Sequence, residues 1–242
     1  MKTTLIIPTY NEVENLPGLI KSLLELPLAD LHVLVVDDAS PDGTGALAEN
    51  LKKKYPQQID VLHRSGKLGL GSAYIQGFRY CLQTGCDLIG QMDADFSHPP
   101  GKVLELVQAV SEYDLALGSR YIPGGSLDRN WAFWRKWLSS FGNYYARTIL
   151  ALPIHDVTGG FRLWKRETLS RLPLERVRSN GYVFQVEMAY IAHQLGFSMK
   201  EIPIYFAERK FGKSKMSLRI QLEAAVRVWQ LRALYRDLKP LK

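Results

Sequence analysis

Two acidic residues on either side of an alanine, Asp93-Ala94-Asp95, are the strongest chemical signal in the chain. They follow an apolar run, residues 88–92, which predicts a buried strand. Residues i and i+2 of an extended chain point to the same side, so both carboxylates are expected at the exposed end of that strand. Such a site suits Mg²⁺ or Mn²⁺, which keeps waters and takes further ligands from substrate phosphates. A solvated turn that caps the following helix would explain the same residues.

Short apolar runs alternate with helical patterns through the first half, and these elements must position the acidic pair. Strands are predicted at residues 4–7, 32–36, 60–63, 88–92 and 115–118. Helices are predicted at residues 46–54, 72–82 and 101–113, and Asn11 with Glu14 indicates the start of an earlier one. Nearly continuous apolar strands in this alternation favour an α/β fold, a mainly parallel central sheet covered by helices.

Other acids fall at the same predicted edge of the sheet. Parallel sheets bind ligands at the carboxyl ends of their strands. Glu12 follows the first predicted strand, and Asp37-Asp38 follows the second. This clustering favours metal binding at Asp93 and Asp95 over a simple turn.

Composition narrows the possible partners. The 242 residues are 46% hydrophobic, enough for a sizeable core in one domain or one domain with an appendage. Lysine and arginine number 31 against 24 acidic residues, a balance that suits a phosphate-rich ligand, a nucleic acid or an anionic membrane. No helix-turn-helix, zinc-finger or aromatic RNA-binding string is present, so no nucleic-acid partner is expected.

Local patterns indicate a reducing compartment and no membrane-spanning segment. Cys81 and Cys86 lack metal-type spacing and are expected to be plain thiols. No apolar run approaches about 18 residues, and the N-terminus is too short in apolar length for a signal peptide. Gly69-Leu70-Gly71 lacks the third glycine of a dinucleotide loop, and Gly212-Lys213-Ser214 lacks the first glycine of a P-loop.

The second half is aromatic and basic. Trp131, Trp134 and Trp137 recur every three residues and are predicted to share one helix face. Tryptophan beside arginine and lysine is typical of a helix at a membrane surface. An amphipathic helix packed on the domain explains the pattern as well, and the residues slightly favour it. Residues 218–238 allow the same two interpretations; their apolar side comprises Leu222, Ala225, Trp229 and Ala233.

Seven strings in fixed order carry a family resemblance from about Leu5 to Met216. They are Ile7-Pro8-Thr9-Tyr10-Asn11-Glu12, residues 36–44, residues 92–99, Gly118-Ser119-Arg120-Tyr121, residues 156–162, residues 181–185 and residues 209–215. With these strings the chain resembles the dolichol-phosphate (polyprenol-phosphate) mannosyltransferases of inverting glycosyltransferase family 2.

The resemblance implies a fold, a reaction and a place in the cell. The fold would be a single GT-A domain over residues 1–242, with a Rossmann-like nucleotide-sugar-binding half (1–121), an acceptor-binding half (122–215) and a C-terminal amphipathic helix (216–242). The reaction would move mannose from GDP-mannose to a polyprenyl (dolichyl) phosphate, giving GDP and a β-linked polyprenyl phosphate mannose. The enzyme would act peripherally at the cytoplasmic face of a membrane, with a possible membrane-spanning partner subunit.

The resemblance also implies roles for particular residues. Those matching nucleotide-sugar contacts are Pro8, Tyr10, Glu12, Val36, Asp38, Asp93, Ala94, Asp95, Arg120, Arg209 and Lys215. Those matching metal ligands are Asp93, Asp95 and Ser97, where some relatives carry glutamine in place of the serine. Those matching acceptor-phosphate contacts are Arg120, Arg135 and Ser139, and the catalytic assignments are Asp95, Arg120 and Arg209. Arg162 is expected to hold the Asp156 loop.

A lipid phosphate needs no general base, because its second pKa is about 6 and at neutral pH it is already mostly a dianionic nucleophile. The difficulty is instead that the lipid phosphate and the donor diphosphate repel each other, and a metal on Asp95 and the basic residues would neutralise this negative charge.

The sequence leaves two alternatives open: UDP-glucose or another nucleotide sugar as donor, and a non-catalytic membrane-docking subunit that kept the fold. Gly212 is expected to be the hinge of a closing loop.

Overall fold

The central feature is a seven-stranded, mainly parallel sheet. The computed structural model describes residues 1–208 and 218–241. Its main strands are β1 (Thr3–Thr9), β2 (Leu31–Asp37), β3 (Ile59–His63), β4 (Leu88–Gln91), β5 (Leu115–Ser119), β7 (Arg162–Lys165) and β8 (Met199–Pro203). They lie in the order β3-β2-β1-β4-β7-β5-β8, and only β7 runs antiparallel to its neighbours. A small parallel pair joins β6 (Ser126–Leu127) to β9 (Tyr205–Phe206).

Helices cover both faces of the sheet, as the continuous apolar strands predict. They are α1 (Leu16–Leu24), α2 (Thr44–Lys54), α3 (Leu70–Thr84), α4 (Val103–Ala109), α5 (Phe133–Leu150), α6 (Arg166–Ser170), α7 (Gly181–Gln194) and α8 (Leu218–Leu234). Side chains alternate along each strand, so β1 sends Ile6 into one hydrophobic cluster and its neighbours Leu5 and Ile7 into the other. The α/β fold and all five strands predicted from the first half are confirmed.

The predicted start of the first helix is wrong. Asn11 has a left-handed backbone with φ 62°, and the helix begins at Leu16, with Asn15 before it and a proline in its first turn. The Glu12 carbonyl instead accepts the Asn15 and Leu16 amides in a turn. A proline fits the first turn because it has no amide hydrogen to donate.

The predicted tryptophan face is also only partly right. Trp131 precedes α5, and its ring meets Phe206 edge-on at 5.8 Å. Trp134 and Trp137 lie on α5 and are 64% and 59% exposed. The three tryptophans recur every three residues in the sequence, but tertiary packing places Trp131 against the domain and leaves Trp134 and Trp137 exposed.

The C-terminal helix buries a different face from the one predicted. Val228, Leu231 and Tyr235 are buried, whereas Trp229 is more than half exposed and Ala233 is exposed. The side chain of Leu222 lies outside the described residues. Among residues 1–208 and 218–241, no helix combines the length and the apolar character needed to cross a bilayer.

Candidate active site

The loops after β1, β2 and β4 meet at one end of the sheet, because these strands are parallel neighbours. Side chains of the second loop cap amides of the first. The amide of Asn11 donates to Ser40 Oγ at 3.1 Å, and the amide of Glu12 donates to Thr44 Oγ1 at 3.0 Å. The predicted gathering of acid-bearing loops is confirmed.

Within Asp37-Asp38 the two acids have separate structural roles. Asp37 builds its own turn by accepting the hydroxyls of Thr9 at 3.0 Å and Ser40 at 2.6 Å. Asp38 is buried and forms an ion pair with Arg64. It also accepts the amides of Leu68 at 3.1 Å and Gly69 at 3.3 Å. Asp38 therefore fixes the β3–α3 loop, and since a carboxylate offers about four acceptor positions it can still accept a ligand hydroxyl.

Arg64 is a site residue that the sequence interpretation missed. It is 7% exposed and donates to Gln76 Oε1 at 3.1 Å and Ser72 Oγ at 2.6 Å, besides pairing with Asp38. Its position directly after the third strand was the available signal, since that places it at the carboxyl edge of the sheet.

The other residues predicted to contact the nucleotide differ in how accessible their side chains are. Tyr10 is half-buried, and Lys67 Nζ lies 4.0 Å from its ring centroid. Glu12 accepts the Asn15 side-chain amide at 2.8 Å. Pro8 is half-buried at the end of β1, whereas the Val36 side chain is fully buried in the core. A ligand could therefore reach Val36 only through its backbone.

Asp93 and Asp95 stand in different environments after β4. The Asp93 side chain is 33% exposed, and Asp93 Oδ1 accepts the hydroxyl of Tyr74 at 3.4 Å. Asp95 is buried and accepts the amide of Ser97 at 3.0 Å, while the Ala94 side chain packs in the core. Burial raises the pKa of Tyr74 well above its usual range, and the charges of both aspartates raise it further. Tyr74 therefore remains a protonated donor toward Asp93.

His98 holds the backbone of the acidic motif. Its Nδ1 accepts the Asp93 amide at 3.1 Å, and its ring stacks on Phe161 with centroids 5.1 Å apart. Burial lowers the pKa of His98, an effect that outweighs the opposing charges of Asp93 and Asp95. The imidazole is therefore neutral at pH 7, with its proton on Nε2.

The donor set of this motif fits a divalent cation that takes most of its ligands from elsewhere. The described part of the chain contains no cluster of three histidine, cysteine or acidic residues that could hold a metal by itself. Asp93 and Asp95 supply two carboxylates, and Ser97 Oγ is buried without a hydrogen-bond partner among the described residues. Two carboxylates and an unsatisfied buried hydroxyl, all within five residues of the chain, form an oxygen donor set that suits Mg²⁺ or Mn²⁺, which completes its shell with phosphates and water.

Arg120 lies at the end of β5 in a buried ion pair. Its guanidinium donates to both carboxylate oxygens of Asp156 at 2.7 Å and to Thr158 Oγ1 at 2.8 Å. It also lies 5.2 Å from the Tyr121 ring and 5.1 Å from the Phe206 ring. Burial lowers the pKa of Arg120, but Asp156 more than offsets this, so the pKa stands above its usual value.

Arg162 is structural, as the sequence interpretation expected. Its three nitrogens donate at 2.8–2.9 Å to the carbonyls of Val157, Gly159 and Gln185. Burial lowers the pKa of Arg162 to about 10, so it is still charged at neutral pH. It thereby fixes the loop that carries Asp156.

Helix α5 joins this cluster through Ser139. Tyr121 donates its hydroxyl to Ser139 Oγ at 2.7 Å. Asn143 donates its amide to the Ser139 carbonyl and to Thr158 Oγ1, both at 3.0 Å. Tyr121, Asn143 and Thr158 were missed as site residues, although two of them lie inside the family-like strings.

Arg135 lies one helical turn before Ser139 and contacts other residues than Ser139 does. It is 4.2 Å from the Trp131 ring centroid and 3.4 Å from Glu208 Oε1, with 28% of its side chain exposed. The structure therefore brings Arg120 and Ser139 together and places Arg135 toward the rim. Arg209 and Lys215, together with the proposed hinge at Gly212, lie outside the described residues.

Comparison with known proteins identifies the family. The model of the family described as glycosyl transferase family 2 matches residues 4–172, and the chain belongs to this family of glycosyltransferases. It is 48% identical to the polyprenol monophosphomannose synthase of Mycolicibacterium smegmatis over 217 residues, 89% of this chain and 81% of that protein. It is 46% identical to the undecaprenyl-phosphate mannosyltransferase of Micrococcus luteus over 242 residues, 99% of this chain and 98% of that protein.

Solved structures of more distant proteins share the GT-A fold. The mannosyltransferase PcManGT from Pyrobaculum calidifontis, in complex with GDP-Man and Mn²⁺, has a TM-score of 0.64 at 19% identity and covers 99% of this chain and 66% of that one. Glucosyl-3-phosphoglycerate synthase from Mycobacterium tuberculosis, in complex with Mn²⁺ and UDP, has a TM-score of 0.64 at 16% identity over 100% and 81% of the two chains. The predicted fold is confirmed.

The Arg120–Asp156 pair makes a prediction about stability. Asp156→Asn should leave a buried guanidinium without its counter-ion and lower the free energy of unfolding by about 3–5 kcal/mol, measured by urea denaturation at pH 7. The control Asp237→Asn should change little, because its pair with Arg176 is exposed.

The effect of Asp156→Asn should also depend on pH. Burial opposes the Asp156 charge, but Arg120 outweighs it and holds the pKa of that carboxyl below its usual value. A depressed folded pKa contributes stability above the unfolded value of about 3.9 that is lost as the pH falls through the folded value. The gap between wild type and Asp156→Asn should be constant above about pH 5 and narrow below about pH 4. A gap that widened in acid would contradict this assignment.

Proposed function

We propose that the chain transfers mannose from GDP-mannose to a polyprenyl phosphate. The observation that carries the proposal is that the acidic motif and the cluster around Arg120 lie next to each other at one end of the sheet. His98, which accepts the Asp93 amide, has its ring 5.5 Å from the Phe206 ring. Arg120 lies 5.1 Å from that same ring, in the cluster that reaches Ser139 on α5. Near-full-length relatives at 46% and 48% identity, both named for polyprenol or undecaprenyl phosphate mannose chemistry, support the acceptor and the sugar.

The donor would occupy the edge formed by the loops after β1, β2 and β4. Asp93, Asp95 and Ser97 would hold a divalent cation, which when bound neutralises charge on the leaving diphosphate. Tyr10 and Asp38 would contact the nucleoside, and Arg64 would keep Asp38 oriented. The complex of PcManGT with GDP-Man and Mn²⁺ supports this donor and cofactor class.

The acceptor would approach through the α5 side. A phosphate monoester is mostly a dianion at neutral pH, so it attacks without a base. Its oxygen forms a bond to C1 of mannose while the bond from C1 to the diphosphate oxygen breaks. Direct displacement from the opposite side inverts an α-linked donor, so the product would be β-linked.

Electrostatics assigns the basic residues unequal roles. Arg120 is already neutralised by Asp156, so it would act as a rigid hydrogen-bond donor with little net charge. Arg135 keeps a loose 3.4 Å pair with Glu208 and can exchange it for a phosphate. The remaining positive charge would come from Arg209 and Lys215.

Loss of the acidic ligand should separate catalysis from folding. Asp95→Asn should reduce mannosyl transfer by about 10²–10³-fold or more, because the leaving diphosphate would lose its neutralising cation. Transfer is measured with labelled GDP-mannose, Mg²⁺ or Mn²⁺ and polyprenyl phosphate, followed by lipid extraction. Circular dichroism should stay native, and surface Asp30→Asn should retain full activity. Wild-type transfer from UDP-glucose in place of GDP-mannose would contradict the donor, and no transfer at all would favour a non-catalytic subunit.

Arg135 should act on the lipid phosphate more than on the donor. Arg135→Ala should raise the KM for polyprenyl phosphate severalfold to tenfold and leave the KM for GDP-mannose nearly unchanged. Lys136→Ala is the matched control, because Lys136 is the next residue along and its amine donates to a backbone carbonyl, that of Arg129. An unchanged acceptor KM and kcat would remove Arg135 from the site.

We further propose that the enzyme works at an anionic membrane surface, through an aromatic face of α5. Large exposed side chains line one side of this helix: Phe133, Trp134, Trp137, Phe141 and Tyr144, between 48% and 82% exposed. Arg135 and Arg147 lie on the same helix and can meet lipid phosphates. The cytoplasmic side of the membrane is the side that the family resemblance implies.

The membrane proposal is tested with lipid vesicles. The double variant Trp134→Ala/Trp137→Ala should bind vesicles containing phosphatidylglycerol at least about tenfold more weakly, because it loses two large interfacial side chains. Sedimentation of protein with vesicles measures this, and raised salt should weaken wild-type binding as well. Leu241→Ala removes an exposed apolar residue beyond α8 and should bind as wild type. Equal binding of the double variant would count against this face.

A further inference from the structure

A small recess lies beside the acidic motif, where residue 160 has no side chain. A β-carbon placed on Gly160 would stand 3.4 Å from Gln185 Nε2, 3.7 Å from Asp93 Oδ1 and 3.7 Å from His98 Cε1. Gly160 is partly exposed, and the Asp93 side chain is 33% exposed, so the recess borders the solvent on this side. Gln185 is 1% exposed and forms its inner wall.

A chain of hydrogen bonds fixes which way the Gln185 amide faces. The indole of Trp164 can only donate, and it donates to Gln91 Oε1 at 2.8 Å. The Gln91 nitrogen must then be the donor to Gln185 Oε1, at 3.2 Å. The nitrogen of Gln185 is thereby left facing the recess as a donor.

That donor is buried and has no hydrogen-bond partner among the described residues. A buried amide nitrogen without a partner gives up its hydrogen bond to water and gains none in the protein, so a bound ligand group is its expected partner. Gln185 is also held rigidly, because Arg162 Nη1 donates to its backbone carbonyl at 2.8 Å. A fixed donor near the Asp93 carboxylate suits a hydroxyl group, which can accept from one and donate to the other.

We propose that Gln185 binds a hydroxyl of the transferred sugar and helps to select the hexose. This inference rests on the proposed function only in taking a nucleotide sugar as donor. The sugar of the donor would sit in the recess at Gly160, its hydroxyl accepting from Gln185 Nε2 and donating to Asp93. The absent β-carbon of Gly160 makes room for the ring. A site built to hydrogen-bond a hydroxyl discriminates strongly against an analogue that lacks it.

Binding measurements on Gln185→Met test the inference without relying on turnover. By isothermal titration the variant should bind GDP-mannose roughly tenfold more weakly than wild type, and GDP without a sugar equally well. Gln194→Met is the matched control: it lies nine residues along the same helix, about 13 Å away, and donates to Tyr190. If Gln185→Met and wild type bound GDP-mannose equally well, the inference would be overturned, and a trapped water would be the partner of Gln185 Nε2.

Gly160→Ala gives a second test that keeps Gln185 in place. Its methyl would meet its neighbours at ordinary contact distance, so the fold should tolerate it while the recess is filled. It should lose affinity for GDP-mannose and keep affinity for GDP. In wild type, one GDP-mannose analogue deoxygenated at a single position should bind roughly tenfold more weakly, and Gln185→Met should distinguish that analogue from GDP-mannose less than wild type does, because only the contact with Asp93 is left. Indifference of wild type to every deoxy position would also overturn the inference.

The outcomes separate this inference from the proposed function. If wild type prefers another nucleotide sugar, the proposed donor is wrong, and the same comparison is made between that donor and its own nucleoside diphosphate. A wild-type protein that binds no nucleotide sugar would overturn both.

Discussion

The buried ion pair between Arg120 and Asp156 fixes the geometry of the cluster that joins the sheet to α5. An unpartnered guanidinium away from water would cost several kcal/mol, so Arg120 can be buried only where Asp156 meets it. The Asp156 carboxylate also accepts the Gly159 amide, and its own amide donates to Glu201. Thr158, which accepts from Arg120, is in turn joined to α5 by Asn143. One electrostatic requirement thus sets where the aromatic helix stands relative to the sheet.

The same pair changes how the site would manage charge. Counting arginines suggests several free cations around an incoming phosphate. Arg120 is matched by Asp156, and Arg162, although charged, is buried with all three nitrogens on backbone carbonyls, so neither is a free cation for an incoming phosphate. Both arginines contribute by holding their neighbours in place. Because the protein already surrounds each guanidinium with acceptors, these groups need not reorient when charge moves during the reaction. Under the proposed function, attraction of the lipid phosphate would fall to residues at the rim, such as Arg135.

Donor and acceptor sides differ in what sequence reasoning could find. Asp93, Asp95 and Arg120 could be proposed from the sequence because they belong to recognisable strings at strand ends. Arg64 and Gln185 were missed as binding residues because their roles depend on partners far along the chain, Asp38 and Gln91. A buried amide without a partner becomes visible only when every neighbour is in place. The aromatic face of α5 is an intermediate case: the sequence pattern identified Trp134 and Trp137, but it did not decide whether they are exposed.

The sequence by itself determined the strands, their parallel arrangement and the gathering of acids at one edge, because apolar periodicity and chain order act locally. It also misplaced a helix start at Asn11 and put Trp131 on a helix, since a left-handed residue and a contact with Phe206 leave no periodic trace. Only the tertiary structure decided which charges are free, which are paired, and which polar groups still await a ligand. Those properties depend on burial and on partners up to 94 residues away in the chain, as between Gln91 and Gln185, and no local pattern encodes them.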